Sequence, residues 1–151
     1  MVSLIFNTSE ATQAWGNQLA HILKGGDVLA LVGDLGSGKT TLVQGIAAGW
    51  GYKRRANSPT FALVNEYASR RGPLLHMDMY RLSRDELGAF PLEDYLDRNT
   101  VCLIEWADRI QPRWPAETLE IHLQTLSSVT RRVKIVSTSK TWQKRLARLL
   151  R

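Results

Sequence analysis

The stretch LVGDLGSGKTTL, residues 31–42, constrains the fold more than any other part of the chain. From Gly33 to Thr40 it reads G-x-x-x-x-G-K-T, the spacing of a phosphate-cradling loop. Such a loop works only in one local context. A buried strand must end at it, and a helix must begin from it, supplying N–H groups and the positive end of a dipole. Both neighbours are present. VLALV at 28–32 is a continuous apolar run, as in a strand covered on both faces of a parallel sheet. Lys39 to Trp50 reads as a helix stopped by Gly51.

The rest of the chain extends that unit. SLIFNT (3–8) has a short strand pattern, and Thr8 or Ser9 can cap a helix running to about Leu23 with Trp15 on its apolar face. Beyond the polar loop RRANSPTF, strand-like runs cover Phe61 to Tyr67 and Leu74 to Met79. SRDELGAFPLEDYLDRN reads as two short helices separated by a turn, and VCLIEW as a second buried strand. TLEIHLQTL and RRVKIV alternate like antiparallel strands at a sheet edge. SKTWQKRLARLLR is an amphipathic helix with Trp142, Leu146, Leu149 and Leu150 on one face. The expected class is α/β, a P-loop NTPase-like three-layer sandwich with a mixed central sheet and helices on both faces. At 151 residues the chain suffices for one domain over one core and is short for two.

MVSLIFNTSEATQAW has neither a basic leader nor a long apolar run, which predicts no secretory signal and no membrane span. The single cysteine, Cys102, sits inside VCLI and reads as a buried, inert thiol; a cytoplasmic location is expected. Net charge is +6, but its distribution is uneven. Residues 130–151 hold eight lysines and arginines and no acid, so the whole excess lies there. That run suits nucleic acid or an acidic partner, or equally a solvated helix face.

In the loop, Gly33, Gly36 and Gly38 allow the turns that aim N–H groups at phosphate oxygens. Lys39 is placed to reach the β- and γ-phosphates, and the Thr40 hydroxyl to take a Mg²⁺ position. A carboxylate from a neighbouring strand end is needed beside it, and two candidates exist. Glu105 ends VCLIE, an apolar run with no other reason to finish in a charge. In LLHMDMY, alternation puts His76, Asp78 and Tyr80 on one face and Leu75, Met77 and Met79 on the other. Either acid has a bland alternative as a strand-end carboxylate facing solvent or an arginine. His76 is a site residue or a satisfied structural histidine, while His21 and His122 belong to no constellation. NSPTF (57–61) lies where switch segments of P-loop hydrolases sit, with Ser58 and Thr60 as candidate sensors, or it is a proline turn capped by Asn57. No Asn-Lys-x-Asp element marks guanine, so ATP is favoured. No arginine-rich lid is evident, which favours a slow or partner-stimulated hydrolase over a kinase. Arg81 is a candidate to assist.

Taken together, GDLGSGKTTL, NSPTF, HMDMYR and LIEWADRI resemble the bacterial TsaE (YjeE) family, and the resemblance covers nearly the whole chain. It implies a small P-loop ATPase with an unusual strand arrangement, required for N6-threonylcarbamoyladenosine in tRNA. It further implies action with the TsaB and TsaD proteins, ATP hydrolysis resetting their complex, so that tRNA is met indirectly. By the same resemblance the phosphates fall to Asp34, Leu35, Gly36, Ser37, Gly38, Lys39, Thr40 and Thr41, and Mg²⁺ to Thr40 and Glu105. Asp78 becomes the catalytic or water-positioning acid, Trp106 a neighbour shaping the site, and NSPTF and HMDMYR switch-like segments. Glu10, Arg132 and Val133 are expected near the adenine. The alternatives are a nucleotide-gated binding module whose hydrolysis is incidental, and a small-molecule kinase. Direct tRNA contact through residues 131–151 is a further expectation, drawn from the charge there.

Overall fold

The computed structural model describes residues 1–59 and 62–151. Seven strands form one sheet: β1 (Val2–Phe6), β2 (Val28–Val32), β3 (Val64–Tyr67), β4 (Leu74–Asp78), β5 (Val101–Glu105), β6 (Leu119–Thr125) and β7 (Arg131–Val136). Their spatial order is β1-β7-β6-β2-β5-β4-β3. The central four, β6-β2-β5-β4, are parallel, and antiparallel strands flank them on both sides. The sheet is therefore mixed, with the loop-bearing strand β2 inside it.

The helices are α1 (Ser9–Ala20), α2 (Lys39–Trp50), α3 (Arg84–Ala89), α4 (Leu92–Tyr95) and α5 (Lys140–Leu149), with a short 3₁₀ turn at Ala107–Ile110. The apolar faces of α1, α2 and α5 bury Trp15, Leu19, Leu42, Ile46, Trp142 and Leu146 against one side of the sheet. On the other side, Leu82, Phe90, Leu92, Ala107 and Ile110 pack on the opposite faces of β2, β4 and β5. Alternation explains the division. Leu29 and Leu31 enter the first layer while Val28 and Ala30 enter the second. Both layers are covered over β2 and β5, which is why their sequences are unbroken apolar runs.

The structure adjusts several expectations. Helix α1 ends at Ala20, with His21 as its C-cap, short of Leu23. Strand β3 starts at Val64, and Phe61 lies outside the described residues. Strands β6 and β7 are mutually antiparallel, but neither is an edge: β6 pairs in parallel with β2, and β1 closes that side of the sheet. Leu150 is 39 % exposed, because the helix ends one residue before it. Helices α1 and α2 approach so closely that a Cβ at Gly45 would stand 2.0 Å from the carbonyl oxygen of Gln13, so only glycine fits there. That contact fixes α2, and with it the loop at its start. Among the described residues, no helix is long and apolar enough to cross a membrane.

Candidate functional site

The C-terminal ends of β2, β5 and β4 converge on one edge of the sheet, with Leu31 paired to Glu105 and Glu105 to Asp78. In a parallel sheet this is where ligand crevices form. A cleft of about 300 Å³ opens there, lined in part by Gly38, Lys39, Thr40, Ser58, Asp78, Glu105 and Trp106.

The loop between β2 and α2 is turned by its glycines. Gly36 has φ 76° and Gly38 φ 98°, a left-handed backbone that side-chain-bearing residues rarely adopt. Gly38 is the N-cap of α2 and brings no side-chain hydrogen bond to the first turn. Helices α1, α3 and α5 all start on hydroxyl caps: Thr8, Ser83 and Ser139. The first amides of α2 are thus left without a capping side chain at the floor of a cleft, where an anion can take that place.

Lys39 is 5 % exposed and lies over its own loop. Its ammonium donates to the carbonyls of Gly33 at 2.7 Å and Asp34 at 2.9 Å and to Ser37 Oγ at 3.3 Å. It also sits 4.3 Å from the ring centre of Trp106, within cation–π range. Burial pushes the Lys39 ammonium below the ordinary lysine value, and the carboxylates of Glu105, Asp78, Asp34 and Asp108 oppose that shift. Trp106 reaches this position because its backbone is left-handed, φ 56°, immediately after β5. Tyr80 packs against Trp106 with ring centres 4.7 Å apart and the rings tilted by 36°.

Thr40 Oγ1 stands 3.1 and 3.2 Å from the two carboxylate oxygens of Glu105 and donates to them. Glu105 is only 3 % exposed, and its Oε2 also meets His76 Nε2. His76 is fully buried, and its Nδ1 lies 2.9 Å from the Tyr67 hydroxyl. That hydroxyl stands 2.8 Å from the Asn57 carbonyl oxygen. Asp78, half-buried, accepts from Ser58 Oγ at 3.3 Å and from the Tyr80 amide at 2.9 Å. Arg109 donates to the carbonyls of Met79, Tyr80 and Leu82, fixing the turn that carries Tyr80 and Arg81.

A hydroxyl and a carboxylate make a hard oxygen pair that suits Mg²⁺, which keeps several waters or phosphate oxygens and needs no all-protein cage. The described residues hold no group of three acids, cysteines or histidines placed for a metal.

The expected site residues are only partly gathered. Leu35, Gly36, Gly38, Lys39, Thr40, Thr41, Ser58, Asp78, Glu105 and Trp106 line the cleft. Ser37 is buried beneath the loop, and Asp34 turns the loop by accepting from the Ser37 amide at 3.0 Å. Thr60 lies outside the described residues. Of the residues expected near the adenine, none lines the cleft. Val133 is fully buried in the core, and Arg132 points to the other side of β7, donating to Gln124 at 3.2 Å. It is Arg131 that lines the cleft, donating to the Gly36 carbonyl at 3.0 Å. Period-two alternation carries the reason: Arg131 shares a face with Val133, but stands at the strand's start, beyond the core. Glu10 is exposed and accepts from Ser9 at 3.3 Å, while Ser9 and Thr12 line the cleft with Ser128 and Val129. His122 pairs with Glu120 at 3.1 Å, and His21 with the Asn17 carbonyl at 2.8 Å.

The model of the family described as "Threonylcarbamoyl adenosine biosynthesis protein TsaE" matches residues 6–133. A tRNA threonylcarbamoyladenosine biosynthesis protein TsaE of Bacillus subtilis is 46% identical over 112 residues, 74% of this chain and 70% of that one. The protein of the same name from Treponema pallidum is 34% identical over 139 residues, 87% of this chain and 97% of its own. The crystal structure of Bacillus subtilis YdiB superposes with a TM-score of 0.84 at 32% identity, covering 99% of this chain and 93% of that one.

Proposed function

The chain belongs to the TsaE family, which ties it to threonylcarbamoyladenosine biosynthesis in tRNA, and from that premise we propose that residues 1–151 act as one Mg²⁺-dependent ATPase domain. It works in the cytoplasm with the TsaB–TsaD complex, and hydrolysis resets that complex between rounds of modification. The single observation that carries the ATPase reading is the pairing of an uncapped α2 N-terminus with the Thr40–Glu105 contact. One supplies donors for phosphate, the other oxygens for a cation.

The roles follow from position. The amides from Gly36 to Thr41 and the Lys39 ammonium bind the β- and γ-phosphates, Lys39 swinging from the loop carbonyls it now contacts. Thr40 and Glu105 would hold Mg²⁺, which when bound offsets charge on the phosphate oxygens. Asp78 and Ser58, hydrogen-bonded to each other beside Glu105, orient the attacking water. Trp106 closes the floor beneath the phosphates and Tyr80 supports it. Arg131, Ser9, Thr12, Ser128 and Val129 border the end of the cleft left for the nucleoside.

The test is ATP hydrolysis with and without TsaB–TsaD, for the parent and Asp78→Ala. Slow turnover alone, stimulation by the pair, and loss in Asp78→Ala are expected. Fast turnover indifferent to the partners contradicts the reading, and transfer of the γ-phosphate to a metabolite makes the chain a kinase. A Glu105→Ala protein that binds ATP without hydrolysing it, yet supports modification, would favour a nucleotide-gated binding module.

A direct tRNA contact is also proposed, on one observation. Lys140, Lys144 and Arg148 are exposed and spaced four apart on α5, along the face opposite Trp142 and Leu146. Replacing all three with glutamine should lower the salt dependence of tRNA binding by a slope of about 3. An unchanged slope removes the contact.

A further inference from the structure

Strand β4 is apolar at Leu74, Leu75 and Met77, yet His76 between them is fully buried. A leucine or methionine would fill that space with no polar group to satisfy. Instead the ring joins Glu105 on one side to the Tyr67 hydroxyl on the other, and that hydroxyl reaches the Asn57 carbonyl. Tyr67 is 4 % exposed and Glu105 3 %, so the connection runs through the interior from the cleft to the loop ahead of β3. The Tyr67 hydroxyl has one hydrogen and two acceptors in reach, so what it offers Asn57 depends on what His76 takes. The loop has other anchors: Gln44 donates to the Ala56 carbonyl and Asn65 to that of Asn57, each at 3.1 Å. Ser58 itself donates to Asp78, the strand neighbour of Glu105, at 3.3 Å, but of these contacts only the His76–Tyr67 link touches the Glu105 carboxylate itself. In a low-dielectric interior, a hydrogen-bonded chain whose ends are both engaged passes a displacement along, because leaving a member unpaired is costly.

We propose that His76 and Tyr67 are positioning residues that tie the loop carrying Ser58 to the Glu105 carboxylate. Whatever Glu105 engages beside Thr40 is thereby felt at Ser58, which also lines the cleft. The rate consequence rests on the ATPase reading; the coupling itself does not.

Tyr67→Phe removes the hydroxyl and keeps the ring, which packs 4.7 Å from Tyr52. Single-turnover ATP hydrolysis with excess Mg²⁺ should slow about tenfold, with ATP affinity within about twofold of the parent. In a Ser58→Ala background the same substitution should cost nothing more, since both act on one step. A parental rate in Tyr67→Phe, losses that multiply in the double variant, or a rate loss matched by weaker ATP binding each overturn the proposal. Hydrogen exchange supplies a readout free of hydrolysis. Glu105→Gln should speed exchange at the Asn57 and Ser58 amides severalfold, and should do so no longer once Tyr67 is phenylalanine. If the chain hydrolyses no ATP, the ATPase reading falls, while the exchange experiment still decides the coupling. An equal response in both backgrounds refutes it.

Discussion

Helix α5 begins on Ser139, whose hydroxyl accepts from the Trp142 amide at 3.3 Å, whereas α2 begins on Gly38, which has no side chain to offer. The two starts face the same deficit, since the first amides of any helix lack partners within it. Ser139 is 6 % exposed and meets the deficit inside the fold, where it also contacts Glu117. Gly38 leaves the deficit open toward a cleft, with a buried lysine and a threonine in the first turn. One terminus is closed within the fold, and under the proposed function the other stands open for a ligand. The difference teaches that a missing cap at a cleft, in a chain that caps its other long helices, points to an anion site.

Breaking α2's side of the comparison should have the largest effect. Lys39→Ala removes the charged donor over the loop, and ATP hydrolysis should fall by on the order of 10²–10³. Thermal stability should hold or rise, because Lys39 is held below the usual lysine value by burial, and replacing it relieves that cost. A phosphate-release assay and a melting curve on the same preparation check both halves. Next comes Gly38→Ala, at φ 98°: strain of about 1–2 kcal/mol should appear as lower stability together with weaker ATP binding. The α5 counterpart, Ser139→Ala, should cost about 1 kcal/mol, or roughly 2–4 °C in melting temperature, and leave ATP affinity alone. Loss of nucleotide binding in Ser139→Ala would erase the distinction. The smallest effect concerns a group outside both termini. Burial raises the Cys102 thiol to about 12, so it stays protonated near neutral pH, and native protein should resist alkylation that denatured protein undergoes at once.

How far the sequence reaches follows the same physics. The loop, β2 and α2 are legible because a motif and an apolar run specify each other over neighbouring residues. Helix α2 runs from Lys39 to Trp50, as its pattern predicts. Glu105 stands out because a charge ending an apolar strand is a local anomaly. What escapes notice depends on pairing at long range. The order β1-β7-β6-β2-β5-β4-β3 is set by register between strands far apart in sequence, and alternation in RRVKIV cannot say which neighbour it meets. The sequence names Arg132 and Val133, whereas the cleft is lined by Arg131; on a strand one position reverses the face, and only the register shows which residue of the run meets the cleft. Gly45 gives no sign that its missing side chain admits Gln13. Tyr67 reads as one more aromatic in a strand until the fold sets it beside His76.

The claim that the open start of α2 is a phosphate site is tested most directly by backbone amide NMR. Spectra would follow the Gly36 to Thr41 amides during titration with Mg²⁺·ATP, ADP and adenosine. The account predicts large shifts at these amides with ATP and ADP, none there with adenosine, and no comparable change at Trp142 beside the Ser139 cap. Shifts as large with adenosine, or phosphate-dependent shifts confined to other parts of the chain, would contradict it.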